Sequence, residues 1–106
     1  MKINVAILIS RLLNNQSKTD LQNTNLEMFH GMMIETKEII DNIMLVVTDE
    51  GVMVDYHELL NEMLTMRSGL ERLGNEGQFM YGCHAALAIA IKELMAMQGT
   101  TKEANE

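Results

Sequence analysis

A chain of 106 residues with a formal charge of −7, no Pro, no Trp and eleven Met has the length of one domain and can bury a modest core. Its acidity, with no basic stripe interleaved with aromatics, argues against direct nucleic-acid binding. One cysteine, Cys83, rules out an intramolecular disulfide and makes a reducing, cytoplasmic setting the expectation.

Abundant Leu, Met, Ala, Glu and Ile without Pro favours helix over sheet. The Met residues fall mostly at helical spacing among Leu and Ile, which marks them as core filling rather than a binding surface. Charge is uneven: residues 1–24 are net basic, and 25–51 are the most acidic stretch.

Residues 2–13 fit two patterns. Val5, Leu8, Ile9, Leu12 and Leu13 share one helical face, while Ile3, Val5, Ile7 and Ile9 alternate as in a strand. No second convincing strand is evident, and an isolated strand would leave its backbone groups unpaired. A short N-terminal helix is therefore expected. The apolar run 3–9 after Lys2 is too short for a signal peptide and lacks a small-residue cleavage site. No run reaches the roughly 20 apolar residues of a membrane span.

Residues 14–23 are polar and are expected to connect two helices. Thr24 and Glu27 match a capping box, so a second helix is expected over 25–47. Leu26, Phe29, Met33, Ile40, Ile43 and Val47 form one apolar row on it, and Met28, Met32, Ile39 and Val46 an adjacent one. Glu35, Lys37, Glu38, Asp41 and Asn42 are expected to face away. Gly31 weakens this helix or lets another come close. Gly51 suits a left-handed helix end, and 52–54 reads as a short extended link.

Asp55 with Glu58 marks the next cap, and a third helix is expected over 56–73, closed by Gly74. Leu59, Met63, Met66, Leu70 and Leu73 make its seam, alternating four and three. Asn75 with Gln78 marks the last cap, with a helix to Gln98, a stop at Gly99, and a flexible tail over 100–106. The expected fold is all-α: one domain over 1–99, a small antiparallel bundle of three long helices plus the short N-terminal one.

The last helix carries few charges, and Gly82, Ala86 and Ala90 form a ridge of small residues four apart. Such a ridge lets helix backbones approach closely. It would meet either the second helix of the same chain or a second copy, and a homodimer contact through these three residues is the expectation.

No Gly-rich phosphate loop, Cys-x-x-Cys, His-Glu-x-x-His or Gly-x-Ser-x-Gly is present. Cys83 and His84 are helix neighbours pointing about 100° apart and form no nucleophile–base pair. Glu27 and His30 make one Glu-x-x-His element of the kind used by di-metal bundles, but Val54 precedes His57 and Tyr81 precedes His84 where a second Glu is needed. No catalytic, metal or cofactor site is expected.

What remains is a small acidic interaction protein that is not an enzyme: a regulator, adaptor or inhibitor that binds another protein. A sharper form is a phage-type inhibitor that masks a nucleic-acid-binding enzyme. Glu35, Glu38, Asp41, Asp49 and Glu50 would carry the contact, each facing Lys or Arg of a basic partner. The alternatives are a structural component of a larger oligomer and, third, a metal-dependent helical-bundle enzyme. No membrane partner is expected.

Overall fold

The computed structural model describes residues 1–47 and 51–104. In chain order they form β1 (Lys2–Asn4), α1 (Val5–Ser17), α2 (Leu26–Val46), β2 (Met53–Asp55), α3 (Tyr56–Leu73) and α4 (Gly77–Ala104). The chain is mostly helical, and the two strands form one small sheet.

The N-terminus corrects the expectation of helix alone. β1 pairs antiparallel with β2, Ile3 lying opposite Val54, and both side chains are buried. The Val5 N–H donates to Val52 O at 2.9 Å and the Tyr56 N–H to Met1 O at 2.8 Å, so the pairing is extended at both ends. The missing partner strand was the stretch read as an extended link. Three residues are too few for periodicity to show, yet they satisfy the backbone of β1.

Asn4 then turns strand into helix, its side chain accepting from the N–H groups of Ala6 and Ile7. α1 also runs further than expected, through Ser17. Its polar end is held at Asn15, whose side-chain amide donates to Glu93 on α4 at 3.1 Å.

α2 is capped by Asn25, one residue later than the Thr24 box implied, and the Asn25 side chain accepts from Met28 N–H at 3.0 Å. Its inner face is rotated from the expected one. The row of Met28, Met32 and Ile39 turns inward with Gly31, Glu35, Thr36 and Ile43, while Leu26 is 69% exposed and Met33 42%.

The cause lies at Gly31 and Gly82. A Cβ on Gly31 would collide with the Phe79 carbonyl of α4, and one on Gly82 with the Met28 carbonyl of α2. Each helix thus uses a glycine to admit the other's backbone. This crossing fixes which face of α2 is buried. The second reading of Gly31, close approach of another helix, describes what is there.

α3 follows its expected bounds. Asp55 accepts from His57 and Glu58 N–H, and Gly74 ends the helix at φ +89°. Leu59, Met63 and Leu70 are buried, but the last seam position, Leu73, is 75% exposed.

α4 passes through Gly99 to Ala104, which corrects the expected end at Gln98. An interior Gly costs a helix only about 1 kcal/mol, and no Pro follows to stop it. Leu87, Ala90 and Leu94 of α4 are fully buried and meet Leu8, Ile39, Ile43, Leu59 and Met63 in one core. The segment Gly77–Gln98 is long and apolar enough to cross a membrane by length and composition alone, with a mean hydropathy of 1.2. The core helix of a globular fold passes the same test.

Candidate functional site: an acidic cleft between α2 and α3

α2 and α3 line an open cleft of about 430 Å³. Glu35, Glu38 and Asn42 line it from α2. They are spaced by three and four residues and therefore stack on one helical face. Across from them α3 supplies Met66, Gly69, Leu70, Arg72 and Leu73. Gly69 leaves that wall bare, since no heavy atom stands within 4 Å of where its Cβ would be.

Glu35 is the unusual member. It is 2% exposed, and its Oε2 has no hydrogen-bond partner among the described residues. Burial pushes its carboxyl up to about 7, and the charge of Glu38 adds to the rise. His84 of α4 acts in the opposite sense. A buried carboxylate is costly unless it is paired and hydrogen-bonded, and nothing in the described chain does this for Oε2.

Its neighbours are satisfied. Asn42 donates to Met66 Sδ at 3.4 Å. His84 Nε2 lies 2.9 Å from Gly74 O, tying α4 to the end of α3. The Cys83 thiol donates to Gly31 O at 3.4 Å. Burial first, then the charges of Glu35 and Glu38, push that thiol up, which makes it a poor nucleophile.

The expected acidic face is thereby divided. Glu38 and Asp41 are exposed as expected, Asp41 bridging to Lys37 at 3.1 Å. Glu35 is not on that face; it belongs to the buried side of α2. Asp49 and Glu50 lie outside the described residues. Gly82, Ala86 and Ala90, expected at a contact between copies, are all buried within the single chain. Gly82 faces α2, the alternative weighed for this ridge.

The three histidines stand apart. His30 meets the Phe79 ring edge-on at 5.4 Å, and His57 meets Tyr56 at 5.3 Å. Among the described residues no three of His, Cys, Asp and Glu are grouped as metal ligands. Comparison of the chain with models of protein families, with curated proteins and with solved structures gave no match.

Two features escaped the sequence. Glu35 was placed outward because of its residue type, although Gly31 and Ile39, each four residues away, bracket it on the buried face. Of the outward apolar residues of α2, Met33 was assigned to an apolar row, and Ile34, Met44 and Leu45 to neither row. Met33, Ile34, Met44 and Leu45 are exposed, Leu45 by 79%, and they flank Glu38 and Asp41.

Proposed function

We propose that the chain is a non-enzymatic interaction protein that binds a basic protein through the outer face of α2. The observation that carries this is the mixture on that face: four large apolar side chains, Met33, Ile34, Met44 and Leu45, uncovered beside Glu38 and Asp41. Exposed apolar groups gathered on one helix are what a partner covers, and the carboxylates select a partner carrying Lys or Arg. A nucleic-acid-binding protein presents such a basic surface, so blocking its site is the regulatory role that fits best.

Self-assembly into a larger structural particle is the second reading, favoured by the same exposed apolar residues. Two copies of one acidic face would set like charges together, which weighs against it. The helices are proposed to form an up-and-down antiparallel bundle. A homodimer, also proposed, needs a surface other than Gly82, Ala86 and Ala90, since these are covered within the chain.

The test is affinity capture from an extract of the encoding organism, with wild type beside the double variant Glu38→Lys/Asp41→Lys. Both sites are exposed, so the fold should survive. The reading expects basic proteins held by wild type and released by the variant at equal salt. Equal capture by both would overturn it. Sedimentation of the purified chain separates the readings further: a large discrete particle supports assembly, and a monomer or dimer supports the binder.

A further inference from the structure

We propose that the cleft between α2 and α3 receives a single arginine side chain from the polypeptide partner, its guanidinium meeting Glu35 and Glu38. This rests on the reading of the chain as a binder of basic protein, and it adds a second contact, which shares Glu38 with the outer face of α2.

The argument begins with the floor of the cleft. Glu35 is 2% exposed and lines it, with Oε2 unpartnered among the described residues. Arg72 lines the same cleft but makes no ion pair with Glu35 or Glu38 among the described residues, and three other cations are held elsewhere. Lys37 is engaged by Asp41 at 3.1 Å, Arg67 by Glu71 at 3.9 Å and Arg11 by Glu93 at 3.8 Å. A carboxylate in this condition is stabilised by a cation that brings its own hydrogen-bond donors.

Three acceptor residues stand in one row: Glu35, Glu38 and Asn42. Asn42 has given its amide N–H to Met66 Sδ at 3.4 Å, so its oxygen serves as the acceptor. A guanidinium offers five donors in one plane and can serve several acceptors at once, where an ammonium acts as a point charge. The opposite wall is apolar at Leu70 and Leu73, suited to the methylene stem of the same side chain. An anionic ligand would meet two carboxylates instead. A metal ion is disfavoured by the lack of a three-ligand group among the described residues.

Arg72 lines the cleft too. Its charge opposes the incoming cation and leaves room for one. The groups facing Glu35 are then Glu38 on its own helix, Arg72 from α3, and His84 and Cys83 from α4. The pairing uses ionised Glu35, so binding strengthens as pH rises through about 7.

The experiment is an NMR titration of the full chain with three blocked pentapeptides. Each has glycines around one central residue: arginine, lysine or the neutral isostere citrulline. The arginine peptide is expected to give saturable amide shifts at Asn42, Gly69 and Leu70, with citrulline weaker by about tenfold or more. Glu35→Gln should lose the response, and Arg72→Ala should tighten it. Gly69→Leu, in open space on the other wall, should block the cleft and serves if Glu35→Gln does not fold. Equal binding of citrulline or lysine, a response retained in Gly69→Leu, or no saturable shift overturns the proposal. Partner capture that survives Gly69→Leu but fails in Asp41→Lys/Leu45→Ala overturns the cleft alone and leaves the outer face standing.

Discussion

Glu35 is the residue at which polarity and position disagree most. Its ordinary carboxyl value is 4.5, and burial followed by the charge of Glu38 raises it to about 7 in the fold. A raised carboxyl pKa means that the folded state binds the proton more tightly than the unfolded one. Stability is therefore greatest below the unfolded value and falls as pH climbs toward the folded one. The loss is on the order of 1–3 kcal/mol, allowing for screening at the open side of the cleft. Glu35→Gln removes the charge, so urea melts should show the variant gaining on wild type as pH rises from 4.5 to about 7 and levelling above that. A constant difference across that range would contradict the burial of an ionisable group there.

Glycine supplies a second test at the same scale. Gly31→Ala and Gly82→Ala gain helix propensity, yet each new Cβ meets a backbone carbonyl of the other helix. Backbone cannot rotate away as a side chain can. Each should lose about 1–3 kcal/mol despite the propensity gain. Gly69→Ala, also within a helix but in open space, should gain about 0.5–1 kcal/mol. Denaturant midpoints for the three variants decide it. The sequence held Gly31 as either a flaw or a point of close approach; only the position of Phe79 tells which. Glu35 was less legible still, because its residue type outweighed the helical spacing that sets it between Gly31 and Ile39.

Elements were legible where several signals coincided. α3 has a capping Asp, a heptad-like seam and a closing Gly, and its bounds came out as expected. The start of α2 moved by one residue because Thr24 and Asn25 are both good caps and Asn is the better. The two strands were illegible for another reason. Each has three residues, and each acquires meaning only from its partner about fifty positions away. The alternation of Ile3 and Val5 was genuine, but helical periodicity beginning at Val5 overlaid it. Asn4 joins the two patterns, paired with Met53 and capping α1 at once. Asn4→Ala should cost about 1 kcal/mol through the cap. Hydrogen exchange should show the Ala6 and Ile7 amides, bound to Asn4 Oδ1 at 3.0 and 3.3 Å, losing protection first. Unchanged protection there would mean that the strand pairing alone holds the start of α1.

For the molecule as a whole, charge governs the approach of a partner. A chain of −7 meeting a basic protein gains long-range attraction that salt screens within about 10 Å at 0.1 M. If the outer face of α2 is the contact, raising salt should slow association more than it speeds dissociation, and the exposed Leu45 should behave in the opposite way. Leu45→Ala is expected to leave the association rate nearly unchanged and to raise the dissociation rate several-fold. Surface plasmon resonance with a captured partner reads both. Charge balance and helical content were open to sequence reading. Which carboxylates stand outward was not, because that follows from how α2 is turned by its crossing with α4.

That crossing also sets an order of events during synthesis. Residues 28–43 of α2 find their main cover in α4, the last helix to emerge. Until then Met28, Met32, Ile39 and Ile43 have no lasting shelter, and β1 waits for β2 before its backbone is paired. A nascent chain halted before α4 should be retained by chaperones and cut readily within α2. Completion of α4 would then close α2, α3 and the N-terminal strand pair together, in one late cooperative step.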